Sequence, residues 1–209
     1  ILGDQLNIEH SWFKTVDASI TYVLMEVKSE TDYVKHHIQK VIGFFAAMRS
    51  FSSQLQEQLH NVIYIKINDP SNFQRFDKNC LDLIKQHNFT KFEYQLPDEY
   101  RVDQHLKSFA EQLEIPAVVY DTEHFYCSRY ELGEVFKDGK SLIMESFYRY
   151  MRKKHGVLVD KEDKPLNGKW NFDQDNRKKL PGNHKPIAPF LFSNQLEEIE
   201  REIHQAKIQ

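Results

Sequence analysis

Gly3, Asp4 and Gln5 directly follow Ile1–Leu2, an apolar pair that reads as the end of a buried strand. Gly3 allows another group to approach the backbone closely. Asp4 offers an acceptor, and Gln5 an amide that both donates and accepts. By itself, Gly3-Asp4-Gln5-Leu6 reads as an ordinary strand-end turn. Glu26 and Glu30 follow a second strand pattern, with Tyr33 just beyond. If the two strands are neighbours, both glutamates approach Asp4. Three carboxylates on one rim require a ligand donor, a cation or a raised pKa. A heterocycle with ring N–H groups is one such donor. Glu30 is equally well placed as a first-turn helix residue, where the helix dipole favours an acid.

Other chemistries find little support. There is no G-x-G-x-x-G fingerprint and no G-x-x-x-x-G-K-[ST] loop. His36 and His37 would point about 100° apart on a helix, whereas helical metal pairs sit at i, i+4. The 10 histidines form no ligand cluster, so no structural zinc is expected. Neither a nucleophile-elbow serine nor a Cys–His arrangement stands out. Cys80 and Cys127 make no disulfide framework, and two thiols cannot supply the four that an iron–sulfur cluster takes. A reduced, cytoplasmic setting is the expectation.

The elements that must position the rim alternate strand and helix. Strands are predicted at Ile1–Leu2, 20–25, 62–67, 92–95 and 117–120. A long helix is predicted over 32–60, with Val34, Ile38, Val41, Phe45, Met48, Ser52, Leu55 and Leu59 on one face. Only Ser52 is out of character there. A second helix should be N-capped by Ser71 and run to about 87, with Phe73, Phe76, Cys80, Leu83 and Ile84 inward. Further helices are predicted at 102–113, 142–154 and 196–206. The fold class is therefore α/β. The expected form is a Rossmann-like, mostly parallel five-stranded sheet with helices on both faces, each crossover right-handed, plus a C-terminal linker with helices. Residues 1–121 read as the α/β domain and 122–209 as the linker and helical extension. Such sheets bind ligands at the carboxyl ends of their strands.

At 40% hydrophobic and 28% charged residues, the chain can form a core and is not disordered. No apolar run approaches the roughly 20 residues of a membrane span, and no signal peptide is visible. The opening Ile-Leu, without an initiator Met, suggests a piece of a longer protein. The 15 Phe and 10 Tyr form either stacking surfaces or a bulky core. Residues 141–185 hold 11 Lys/Arg against 6 Asp/Glu, which hints at an anionic partner or else a solvated linker. Two stretches stand out, from Lys140 to Lys154 and from Gly168 to Arg177. Either could meet a phosphate backbone, with Phe147, Trp170 and Phe172 gluing the linker onto the domain. Pro181, Pro186 and Pro189 keep the following chain extended.

Four motifs then occur in order. They are Gly3-Asp4-Gln5-Leu6; Tyr33-Val34-x-His36-His37 running into Ala47-Met48-Arg49; Met144-Glu145-x-Phe147-Tyr148-Arg149-x-Met151-Arg152; and Trp170-Asn171-Phe172-Asp173-x-Asp175-Asn176-Arg177. Together they resemble the photolyase-related proteins of bacteria, the iron–sulfur bacterial cryptochromes and prokaryotic (6-4) photolyases. The resemblance implies an N-terminal domain that binds an antenna chromophore, 6,7-dimethyl-8-ribityllumazine. It also implies a helical C-terminal catalytic domain, absent from this chain, which holds FAD and a [4Fe–4S] cluster and binds damaged DNA. Carried onto this sequence, the antenna pocket comprises Asp4, Gln5, Leu6, Met25, Glu26, Glu30, Tyr33, His37 and Phe44. The carboxylates should meet the chromophore's polar edge or ribityl hydroxyls, and Tyr33 and Phe44 should form apolar walls. The full-length protein would act in light-driven DNA repair or light sensing. The α/β pattern alone also permits a nucleotide-binding or protein-interaction module without light chemistry.

Overall fold

The computed structural model describes residues 1–136, 141–179, 182 and 185–208. Lys140 and Pro181 lie outside the described residues. The chain divides into two units, Ile1–His124 with Asn194–Gln209, and Phe125–Ser193.

In the first unit, β1 (Thr21–Met25) and β2 (Asn61–Ile65) pair in parallel, from Thr21 opposite Asn61 to Met25 opposite Ile65. β3 (Phe92–Gln95) and β4 (Ala117–Tyr120) pair likewise, from Phe92 opposite Ala117 to Gln95 opposite Tyr120. Parallel neighbours need a crossover. α2 (Ile38–Glu57) supplies it for the first pair and α4 (Tyr100–Glu111) for the second. α3 (Phe76–His87) links β2 to β3. The class is mixed α/β, with short parallel strands in two small sheets. The sequence predicted five strands in one sheet. Ile1–Leu2 is too short for a ladder of its own: the Ile1 nitrogen donates to the Val23 carbonyl at 3.0 Å, and the chain turns at once through Gly3–Asp4.

Strand alternation sends side chains to both faces of β1. Tyr22 and Leu24 join a core cluster with Val41, Phe45, Met48 and Leu55 of α2. Val23 and Met25 join a second cluster with Phe76 and Leu83 of α3 and Val102 and Leu106 of α4. Ser52 falls on the buried stripe of α2 after all. α8 (Glu197–Gln205) packs on α2 and adds Ile199 and Ile203 to the first cluster, with Ile208 just beyond its end.

Two helix predictions need correction. The helix expected over 32–60 is shorter and preceded by a break. A one-turn helix, α1 (Lys28–Thr31), is capped by Asp32, and α2 starts only after His37, whose ring accepts from the Gln39 N–H. The α3 helix starts five residues after Ser71. Asp69 takes both the N–H and hydroxyl of Ser71 (2.8 and 2.7 Å), so Ser71 closes a turn instead of capping. Asn79 then reaches back to accept from the Phe73 N–H, leaving the Phe73 ring half exposed and not inward.

The second unit contains α5 (Glu131–Val135), α6 (Met144–Lys154) and α7 (Asp173–Asn176). Glu131 receives Lys154 Nζ at 2.5 and 2.7 Å and the Tyr150 hydroxyl at 2.9 Å. The buried Arg152 donates to the carbonyls of Val157, Leu158 and Trp170, at 3.0, 2.5 and 3.5 Å. Phe147 packs on Tyr150 and Phe136 inside this unit. Among the described residues, no helix is long and apolar enough to cross a membrane.

Candidate functional site

A cavity of about 190 Å³ opens in the first unit where β1 and β3 end. Residues on its floor and walls come from the Gly3–Asp4 turn, the Met25–Val27 exit of β1, the Glu30–His36 segment before α2, one face of α2, Phe76 at the start of α3, and the Pro97–Val102 entry to α4. Gly3 is closely packed against α2. A Cβ there would lie 3.0 Å from Phe44 Cδ1 and 3.1 Å from Met48 Sδ.

Of the nine residues named from sequence, Asp4, Met25, Glu26, Glu30, Tyr33 and Phe44 line this cavity. Gln5, Leu6 and His37 are placed elsewhere. Gln5 is buried and works as a clamp: its amide donates to the carbonyls of Gln95 (3.3 Å) and Leu96 (3.2 Å), and its oxygen accepts from the Leu2 N–H at 3.0 Å. Leu6 packs against the core cluster under α2. His37 is the α2 cap, and His36 is the histidine on the cavity wall.

The three carboxylates are each handled differently. Glu26 is fully buried, and its oxygens accept from Arg49 Nε at 2.7 Å and Nη2 at 2.9 Å, the Tyr64 hydroxyl at 2.7 Å and the Ile67 N–H at 2.8 Å. Burial and the adjacent Glu26 carboxylate push the Tyr64 hydroxyl well above its ordinary pKa. Glu30 accepts twice from Arg101, at 3.1 and 2.7 Å. The same guanidinium holds Glu99 at 2.9 and 3.2 Å and lies 4.1 Å from the centre of the Tyr33 ring. Arg101 therefore ties α1, the break before α2 and the start of α4 into one rim. Asp4 makes no ion pair among the described residues. Withdrawal from water raises its pKa, Asp98 and Glu30 nearby push the same way, and His124 only partly opposes them.

Sequence reasoning missed Lys40, Met48, Glu99 and Arg101. Lys40 and Met48 lie four residues to either side of Phe44, so helical spacing from Phe44 could have found them. Lys40 Nζ sits 5.8 Å from the Phe44 ring centre. No local pattern links Glu99 and Arg101 to Glu30, because the partners are separated by about 70 positions and meet only through the fold.

A family model described as deoxyribodipyrimidine photo-lyase-related protein matches residues 1–209. The chain belongs to this family. A (6-4) photolyase of Agrobacterium fabrum (strain C58 / ATCC 33970) is 36% identical over 178 residues, covering 85% of this chain and 35% of that protein. The chain thus spans about a third of the length of that photolyase. An uncharacterized protein of Acanthamoeba polyphaga mimivirus, R852, is 25% identical over 179 residues, covering 79% of this chain and 85% of that protein. In this photolyase-related chain, the cavity walls combine aromatic surface with a small set of charged groups, the composition typical of small-molecule sites.

Proposed function

We propose that the first unit binds a planar antenna pigment, 6,7-dimethyl-8-ribityllumazine, on behalf of a photolyase-like flavoprotein. The role would be light-driven DNA repair or light sensing. The observation that carries this reading is the cavity at the strand ends, lined by Tyr33, Phe44 and Met48 together with an acid, Asp4, that makes no ion pair among the described residues. Ligands of α/β sheets bind at this end of the strands. We read the two small sheets as parts of one Rossmann-like sheet, with Ile1–Leu2 as the fifth strand. The bond from the Ile1 nitrogen to Val23 and the Gln5 clamp on Gln95 and Leu96 support that reading.

The residues present fit such a pigment. At about 190 Å³, the cavity is smaller than the roughly 300–1,000 Å³ of typical ligand pockets. It suits a bicyclic ring, with the ribityl chain left to the open mouth. Tyr33, Phe44 and Met48 would wall the ring, and Asp4 and Lys40 would meet polar groups. When bound, the pigment supplies absorption of light. FAD, the [4Fe–4S] cluster and the damaged DNA are assigned to a helical C-terminal domain. Cys80 and Cys127 cannot furnish a cluster's thiolates, and burial holds the Cys80 thiol up at about 11.

Titration of the chain with 6,7-dimethyl-8-ribityllumazine, followed by absorption and fluorescence, tests the reading. Stoichiometric binding that weakens in Asp4→Ala supports it. A folded chain that ignores the lumazine but binds a nucleotide saturably would overturn it in favour of a nucleotide-binding module.

A further inference from the structure

One wall of the cavity in the first unit comes from chain with no regular structure. Residues 32–37 lie between α1 and α2, and Tyr33 and His36 of this strap line the cavity. A segment without helix or ladder bonds needs another anchor if its side chains are to keep one position. Burial supplies little of it, because Tyr33 and Val34 stay 44% and 49% exposed. The anchor comes from α4. Arg101 donates to both oxygens of Glu30, at 3.1 and 2.7 Å, and to both oxygens of Glu99, at 2.9 and 3.2 Å. Its guanidinium carbon stands 4.1 Å from the centre of the Tyr33 ring, within cation–π reach. The two carboxylates fix the guanidinium, and the guanidinium fixes the ring.

The row of contacts continues past Tyr33. Its ring meets that of His36 edge to face, with 5.2 Å between centres. Lys40 Nζ donates to His36 Nδ1 at 3.2 Å and stands 5.8 Å from the Phe44 ring centre. An unbroken row thus runs from α4 along the strap to α2. Tyr33, His36, Lys40 and Phe44 of that row line the cavity, whereas Arg101 does not. Any influence of Arg101 on a ligand therefore passes through the side chains it holds. Its side chain is 39% exposed, so solvent screens its ion pairs and they add little to global stability. A lysine is no substitute. It carries the charge but lacks the planar fork that grips two carboxylates and stacks on a ring.

We propose that Arg101 is the positioning residue of the pigment site, setting Tyr33 in place as the wall against which the ligand's ring packs. This rests on the pigment-binding reading of the cavity.

The test uses the full chain. The parent, Arg101→Ala, Arg101→Lys, Tyr33→Leu and Arg101→Ala/Tyr33→Leu are titrated with 6,7-dimethyl-8-ribityllumazine and followed by absorption and fluorescence. Arg101→Ala should weaken binding about fivefold to tenfold, the worth of one aromatic contact. Its urea midpoint should barely move. Arg101→Lys should recover little of the lost affinity. Tyr33→Leu should cost a similar factor, and adding Arg101→Ala to it should cost less than about twofold more, because the two residues act as one unit. Amide exchange without ligand gives a readout that does not depend on the pigment. Peptides spanning 28–37 should exchange faster in Arg101→Ala, while those spanning β1 should not change. An Arg101→Ala variant that binds as well as the parent overturns the proposal and leaves the pigment reading standing. Full additivity in the double variant, or an affinity loss that follows a large midpoint shift, also overturns it. A parent chain that binds no lumazine sinks the pigment reading instead. Exchange over 28–37 then decides by itself whether Arg101 holds the wall, and unchanged exchange there overturns that hold.

Discussion

Arg49, on α2, closes a two-point hydrogen bond on the fully buried Glu26, at 2.7 and 2.9 Å, and with the same Nη2 reaches Glu202 of α8 at 2.5 Å. One guanidinium thus joins the exit of β1 to the C-terminal helix. Lys66 adds bonds to Glu198 at 2.7 Å and Glu202 at 3.1 Å. Burial works against the charge on Arg49, but Glu26 and Glu202 more than offset it and keep the guanidinium firmly protonated.

Loss of one partner from this buried pair leaves the other without compensation. Arg49→Met should destabilise the chain by about 3 kcal/mol, because the Glu26 carboxylate stays buried. The double variant Glu26→Gln/Arg49→Met should recover at least half of that. A glutamine oxygen in the Oε2 place still accepts from the Ile67 N–H, its amide nitrogen can donate to the Tyr64 hydroxyl oxygen, and no unpaired charge remains. Urea denaturation of the three proteins checks this; a double variant no better than Arg49→Met would show that packing, not charge, dominates.

The latch on α8 combines apolar burial with surface charge, and the two should differ in strength. Ile203 is fully buried in the first core cluster, so Ile203→Ala should cost about 2–5 kcal/mol. The Lys66 pairs are solvent-screened, since the lysine side chain is 40% exposed, and Lys66→Ala should cost under about 1 kcal/mol. Denaturation midpoints at equal slope measure both.

The rim of carboxylates was legible in the sequence, but the way it is neutralised was not. The reading of a shared strand-end rim put Asp4, Glu26 and Glu30 together, and all three line one cavity although Ile1–Leu2 forms no strand of its own. It also named the three remedies: a donor, a cation or a raised pKa. Which remedy applies depends on Arg49, 23 positions from Glu26, and Arg101, 71 positions from Glu30, and no local period encodes such pairings. Helix α2 was readable because burial imposes its 3.6-residue period. Its start was misplaced, since the apolar Val34 continued the pattern into a segment that tertiary contacts, such as Arg101 on Tyr33, hold out of the helix. The α3 start was misplaced for a similar reason: the side chains of Asp69, Asn72 and Asn79 bond the local backbone, and propensity carries no record of that.

Asp4 gives a pH signature. Its folded pKa is raised, so the unfolded chain ionises first as pH climbs. Its favourable contribution is complete below the unfolded value of about 3.9 and is lost as pH rises through the folded value. Asp4→Asn should therefore stabilise the free chain at pH 7. The gain should shrink toward zero below about pH 4. Solvent at the cavity mouth screens the effect, which should stay under about 1 kcal/mol. Denaturation at the two pH values decides it, and a gain that persists unchanged in acid would rule out ionisation as the cause.

Gly3 is held at its identity by Phe44 and Met48. Gly3→Ala puts a Cβ at 3.0 Å from one and 3.1 Å from the other, so one side chain must yield. Phe44 is 41% exposed and can swing outward, whereas Met48 is buried and cannot. The cost to stability should therefore stay near the low end of overpacking, about 1 kcal/mol. The displaced ring should enter the cavity mouth and weaken lumazine binding more than it weakens the fold. Gly3→Ala/Phe44→Leu separates the two effects. If the smaller side chain restores stability and binding together, the clash is with Phe44. If it restores neither, Met48 and the helix backbone behind it have taken up the strain, and the cavity floor is more rigid than its wall.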